Sequence, residues 1–164
     1  MNEGIHIRDA VESDLPGLLG IQKAAFMRYT KYLLPEQMPP VTETLEGVRD
    51  DFLRKRILIA EFGGALAGSV RYSAKGGVCL IERLSVDPAL QGRGIGSSLV
   101  REVERRVGEK VHKIYLETGL LADNLLMFYA KLGYSGEAVL RKHYGGFDWI
   151  VLSKFIYEGQ GGKL

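Results

Sequence analysis

The segment VDPALQGRGIGSSLV, residues 86–100, sets three glycines, Gly92, Gly94 and Gly96, where a helical pattern is beginning. Glycine costs about 1 kcal/mol against alanine inside a helix, so Gly94 and Gly96 in a first turn call for an offsetting gain. A helix start supplies one. Its first amides lack internal acceptors and carry the positive end of the helix dipole, forming an anion site that a glycine backbone lets a phosphate approach. The same glycines would also serve a bare strand-to-helix turn. Upstream, Glu82 lies in the otherwise apolar stretch VCLIERLSV, where a carboxylate needs a partner or a wet cleft. An anion site at the helix start is the chemistry these residue types suggest, with Glu82 a carboxylate whose surroundings must be accounted for.

Known phosphate loops can be separated by spacing. A P-loop requires lysine after its glycine, whereas Gly96 is followed by Ser97 and Ser98. A dinucleotide fingerprint fits in order, since a strand, a glycine loop, a helix and a strand ending at Glu117 succeed one another. It fails in spacing, because its third small residue would fall at Ser97 and DPALQ separates the strand from the first glycine.

LSVDPALQGRGIGSSLV resembles the acyl-CoA-binding motif of GNAT-type N-acetyltransferases, Gln/Arg-x-x-Gly-x-Gly/Ala opening a helix, here Gln91, Gly92, Arg93, Gly94, Ile95 and Gly96. IHIRDAVESDLPGLLGIQKAAF is similar to that family's opening strand and helix, and FYAKLGY to its late Tyr-x-x-x-Gly-Tyr/Phe segment, so the resemblance spans nearly the whole chain. It implies an α/β (α+β) fold with a central mixed, mostly antiparallel sheet splayed between strands 4 and 5 and flanked by about four helices. It also implies acetyl-CoA as cosubstrate. The loop amides of Arg93 to Ser97 would hold the pyrophosphate, and the backbone of Leu84, Ser85 and Val86 would pair with the pantetheine arm.

Acetyl transfer from a thioester to an amine needs a neutral amine, a polarised carbonyl and a protonated leaving thiolate. The Val86 amide is suited to polarising the carbonyl. By resemblance Tyr129 reaches the sulfur as general acid, with Tyr134 the more natural packing tyrosine. Two carboxylates compete as base, because an alkylammonium titrates near ~10 and must shed its proton. Glu82 is slightly favoured, its structural alternative being an ion pair with Arg83 or Arg71. Glu117 stands where ribosomal-protein-type N-terminal acetyltransferases carry their base. Where the family often has a pantetheine-contacting asparagine seven positions before the tyrosine, this chain has Ala122; Asn124 is the nearest substitute. Transfer would be direct, without a covalent enzyme intermediate. The rival reading is a catalytically silent acyl-CoA-binding or sensing domain.

These groups need a scaffold. IHIR reads as a strand, and ESDLPGLLGIQKAAFMRY as a helix capped by Ser13 or Asp14. LLPEQMPP reads as a loop and TETLEGVRDDFLRK as a second helix. RILIAEF and ALAGSVRYSA form a hairpin about a Gly-Gly turn, followed by VCLIERLSV as a third strand. From Ile95 to Val107 apolar residues recur every four, with Arg101, Glu102, Glu104, Arg105 and Arg106 turned away. KIYLET is a strand, Asp123 can cap a helix over NLLMFYAKL that Gly133 stops, and YSGEAVL with FDWIVLSKF makes a final pair.

At 164 residues, with 46% hydrophobic and 26% charged, the chain suits one domain over 1–157 with a loose tail over 158–164. A net charge of +2 gives no reason to favour nucleic acid or an anionic membrane. No apolar run approaches a membrane span and the N-terminus lacks a signal-like h-region, so the expected location is cytoplasmic. Cys79, the sole cysteine, reads as a buried small hydrophobe. No metal-ligand spacing is present; His6 and His112 show no partner, and His143 reads as a loop residue. The acceptor would be a small-molecule or peptide amine. Tyr29, Tyr32, Tyr144, Phe147 and Trp149 could enclose it and Asp148 attract its charge, though the same side chains suit a core or a homodimer surface.

Overall fold

The computed structural model describes residues 4–120 and 124–156. Ala122, the expected cap Asp123 and the expected tail lie outside these. The chain divides into two compact units. One holds the described residues up to Tyr72 together with Glu82–Val103; the other holds Ser73–Ile81 and the described residues from Glu104 onward.

In the first unit, β1 (Ile5–Asp9) runs antiparallel to β2 (Arg56–Phe62), with Ile5 opposite Phe62 and Asp9 opposite Leu58. β2 turns through Gly63 and Gly64 into β3 (Ala65–Lys75), again antiparallel, with Arg56 opposite Tyr72. Four successive β2 residues, Ile57 to Ala60, are buried, so the strand is covered on both faces and loses the alternation of a half-exposed strand. On one face Ile57 and Ile59 join Leu15 and Leu18 of α1 (Leu15–Phe26) and Val48 of α3 (Leu45–Arg54) in a core edged by Leu19, Leu45, Phe52 and Leu66. The part of β4 (Val78–Val86) from Glu82 onward leads to α4 (Ile95–Val107), whose Ile95, Leu99, Val100 and Val103 are buried in this unit.

In the second unit, β4 pairs in parallel with β5 (Lys113–Gly119) through three residues of each strand, Val78–Leu80 against Lys113–Tyr115. β5 then pairs along its whole length with the antiparallel β7 (Phe147–Phe155), and β6 (Ser135–Tyr144) lies outside β7. The seven strands follow the order β1-β2-β3-β4-β5-β7-β6, a mixed and mostly antiparallel sheet. α5 (Leu125–Lys131) ends at Gly133, whose φ of +91° and amide bond to the Ala130 carbonyl close the helix as expected.

Three local expectations are corrected. Asp14 occupies the position before α1 but caps nothing there, because its carboxylate accepts from the Val11 amide at 2.7 Å and pairs with Arg8 at 2.8 Å. Within LLPEQMPP the chain is helical rather than open: Pro39 and Pro40 begin a single turn, α2 (Pro39–Thr42), where a missing amide hydrogen costs nothing. Glu104 does not turn away to solvent. Its side chain is 16% exposed and is gripped by Lys154 at 3.0 Å.

Candidate active site

The glycine loop belongs to the first unit and is built by local bonds. Asp87 ends β4, its amide donating to the Ala67 carbonyl at 2.8 Å and its carboxylate accepting from the Ala89 amide at 2.9 Å. Gln91 reaches back to donate to the Val86 carbonyl at 3.3 Å, and Arg28 of the segment after α1 donates to Gln91 Oε1 at 3.4 Å. Gly92 and Gly94 take φ of +79° and +83°, values that favour glycine, and turn the chain into α4. The Gly94 carbonyl accepts from the Ser98 amide at 3.0 Å and from Ser97 Oγ at 2.9 Å, so Gly94 fills the N-cap place and the amides beyond it open the helix. Arg93, within the loop, has its guanidinium 5.6 Å from the Phe62 ring, and Arg28 reaches the loop through Gln91. Arg28 carried no sequence signal, being 63 residues distant in the chain from the Gln91 it bonds. A Cβ placed on Gly92 would meet no atom within 4 Å. Open glycine backbone, helix-start amides and two guanidiniums fit a pyrophosphate.

β4 is seated by Gly68 of β3, where an added Cβ would lie 2.7 Å from the Ser85 carbonyl oxygen. Ser85 is buried and its Oγ donates to the Arg83 carbonyl at 3.1 Å, while Leu84 and Val86 are half-buried. Arg83 has a φ of +53°.

Around Glu82 the structure shows an extended charge cluster that the sequence did not disclose. Glu82 pairs with Lys55 at 2.8 Å, not with Arg83 or Arg71, and Lys55 also reaches Asp51 at 3.2 Å. Arg71, 1% exposed, donates to Asp51 at 2.7 Å, to both Glu43 oxygens at 2.8 and 2.9 Å, and to Gln22 Oε1 at 2.7 Å. Gln22 in turn donates to the Pro40 carbonyl at 2.8 Å and to Glu43 at 2.7 Å. Burial alone would raise the Glu43 and Asp51 carboxyls; bonds from Arg71, with Gln22 and Lys55 respectively, hold both below the usual range. The cluster ties α1, α2 and α3 to β3 and β4.

The second unit carries the remaining candidates. Tyr129 is 5% exposed, its ring edge-on to Phe128 and Tyr134 at centroid distances of 4.9 and 5.6 Å. Tyr134 is the packing tyrosine: it is buried and its hydroxyl donates to Glu104 at 3.1 Å. Burial, reinforced by the Glu104 charge, pushes that phenol far up. Glu117 stands within β5 at 41% side-chain exposure, its carboxylate 3.6 Å from His143 Nε2. Asn124 begins α5 with a φ of +61° and no side-chain cap bond, while its carbonyl accepts from the Phe128 amide at 2.8 Å.

Other expected roles change. His143 belongs to β6 rather than a loop, edge-on to Trp149 at 6.5 Å. His6 has a partner, Glu61, at 3.2 Å. Asp148 is already engaged, by Arg141 at 2.9 Å and the Lys142 amide at 2.9 Å. Cys79 is buried as expected, and burial pushes its thiol up to about 12.

This mixed sheet, with a glycine loop opening the helix after β4, has the fold of solved GNAT N-acetyltransferases. Residues 23–134 match the Acetyltransferase (GNAT) family, and the chain belongs to that family. Among solved structures, the ribosomal-protein-S18-alanine N-acetyltransferase of Escherichia coli is similar at a TM-score of 0.79 and 19% identity, covering 98% of each chain. PaiA N-acetyltransferase from Thermoplasma acidophilum, solved in complex with coenzyme A, superimposes at 0.81 and 20% identity over 92% of this chain and 98% of its own. YncA from Salmonella typhimurium, solved with its cofactor acetyl-CoA, gives 0.77 and 15% identity over 98% and 99%. No curated protein sequence matches the chain. Among the described residues no helix is long and apolar enough to cross a membrane.

Proposed function

We propose that the protein is an acetyl-CoA-dependent N-acetyltransferase that moves the acetyl group directly to a primary amine, with residues 1–157 acting as one domain. The observation that carries this reading is the loop at Gln91–Ser97, where helix-start amides, positive-φ glycines and two arginines together suit a pyrophosphate. Acetyl-CoA would supply the activated acyl carbon. Gln91 to Ser97 hold its pyrophosphate, and the backbone of Leu84, Ser85 and Val86 holds its pantetheine arm, with Asn124 a further contact.

Glu82 takes a proton from the incoming ammonium and passes it to solvent. Lys55 keeps its carboxylate in place for that role. The amine nitrogen then bonds to the acyl carbon, whose oxygen accepts from the Val86 amide, and the carbon–sulfur bond breaks. Tyr129 gives its phenolic proton to the departing thiolate and regains one from the nitrogen by way of solvent. The ammonium loses two protons in all, one ending on the thiol and one in solvent, so the products are an amide and free coenzyme A.

The test is thiol release from acetyl-CoA across free amino acids, polyamines, amino sugars, aryl amines and peptides, with a no-acceptor control. Glu82→Gln and Tyr129→Phe should each lower kcat about 10²–10⁴-fold while leaving acetyl-CoA affinity near wild type. If Glu117→Gln produces that loss and Glu82→Gln does not, Glu117 is the base. Acetyl-CoA binding without turnover on any acceptor would favour the sensing-domain reading.

A further inference from the structure

A strand alternates its side chains, so Glu82 and Arg83 should point to opposite faces of β4. They do not. Glu82 meets Lys55, Arg83 has its Nε 3.9 Å from Glu43, and Lys55 and Glu43 belong to one cluster joined through Asp51 and Arg71. The cause is the φ of +53° at Arg83, an uncommon conformation for a residue with a side chain, which breaks the alternation and turns an acid and an arginine to the same side. Strain of this kind persists where the surroundings fix it, and it gathers at functional sites.

The placement leaves Arg83 poorly served. Its side chain is 28% exposed, and its Nε is buried with no hydrogen-bond acceptor among the described residues. Glu43, whose carboxylate lies 3.9 Å from that nitrogen, already accepts from Arg71 through both oxygens and from Gln22. Arg71 has an unserved Nε as well, yet its other nitrogens are saturated by Asp51, Glu43 and Gln22 at 2.7 to 2.9 Å. Among the described residues no hydrogen bond to the Arg83 guanidinium offers such compensation. A buried guanidinium nitrogen without an acceptor is costly, and a planar fork of donors matches a carboxylate.

We infer that Arg83 binds a carboxylate of the acceptor, so the acceptor is an amine that also carries a carboxylate, of the amino-acid class. This rests on the acetyltransferase reading of the same site. Among the described residues the cluster pairs three cations, Lys55, Arg71 and Arg83, with three anions, Glu43, Asp51 and Glu82, so these six are balanced before anything binds. A zwitterion enters such a site without adding net charge, its ammonium facing Glu82 and its carboxylate facing Arg83. A bare diamine would bring charge that these six groups do not offset.

The experiment compares kcat/KM for matched pairs, each amino acid against its decarboxylated amine and its methyl ester, in the wild type, Arg83→Gln and Arg83→Lys. In the wild type the carboxylate-bearing member should be preferred about ten- to a hundredfold, the range for a hydrogen bond to a charged group. Arg83→Gln should bring that ratio near one, and Arg83→Lys should restore part of it, while the KM for acetyl-CoA stays put. Equal or better use of the decarboxylated amine or ester by the wild type overturns the inference. So does a rise in acetyl-CoA KM in Arg83→Gln with the ratio intact, which would assign Arg83 to the cosubstrate. Activity on amines with silence on every carboxylate-bearing one overturns the inference and leaves the transferase reading standing; failure to bind acetyl-CoA overturns both.

Discussion

Arg71 is the residue on which the charge cluster of the first unit turns. Its guanidinium is fully buried, and without it Glu43 and Asp51 would be left as uncompensated charges beside the core. Breaking a buried ion network by removing one member costs about 3–5 kcal/mol, so Arg71→Met should lower the urea midpoint accordingly, read by circular dichroism. The network also sets an acid limb. Glu43 and Asp51 titrate below their ordinary values in the folded state, so the stability they confer is complete above the unfolded carboxylate range near ~4 and is lost as pH falls through the depressed values. The melting temperature should hold from neutral pH to about pH 5 and drop below about pH 4, less steeply in Glu43→Gln. None of this was legible in the sequence. Arg71 appears there as one polar residue in a strand, and its partners Gln22, Glu43 and Asp51 lie 49, 28 and 20 residues away, so no local spacing announces them. The turn at the glycine motif, by contrast, was legible because its conformation is carried by consecutive backbone. Glu82 was legible as an anomaly in an apolar strand, though its true partner, Lys55, was not.

At the scale of elements, the hairpin, the strand after it and the amphipathic α4 could be read from turn residues and periodicity, since each is decided within a few residues of chain. The insertion of β7 between β5 and β6 could not, because pairing order is a long-range choice that two neighbouring apolar runs do not encode. The seating of β4 was equally hidden, and it rests on Gly68. The atom a Cβ would strike at 2.7 Å is the backbone oxygen of Ser85, which has no side-chain freedom with which to yield. Gly68→Ala must therefore push β4 outward next to Ser85 and Val86, where the pantetheine arm is proposed to pair. Overpacking of this kind costs about 1–3 kcal/mol, and we expect a matching fall in stability together with a raised KM for acetyl-CoA and a smaller change in kcat. A variant that loses stability with an unaltered KM would remove Ser85 and Val86 from the cosubstrate site.

For the molecule as a whole, the boundary between the compact units falls inside β3, β4 and α4, so three secondary-structure elements run on from one unit into the other. Unfolding either unit would cut each of these elements short, removing helix turns and strand ends on which the other depends. Heating should therefore give one cooperative transition, as a single domain requires. A ligand that binds only the folded chain raises that transition. At a hundredfold excess over Kd, acetyl-CoA should add about 2.7 kcal/mol, and for a chain of this size each kcal/mol moves the midpoint by about 2–4 °C, so a rise of about 5–10 °C is expected. NAD at the same concentration should leave the midpoint unchanged, because the spacing after β4 does not fit a dinucleotide loop. Calorimetry checks both points in one series. Two transitions, with acetyl-CoA shifting the earlier or later one alone, would mean that the units melt independently and that the nucleotide contacts lie within one of them.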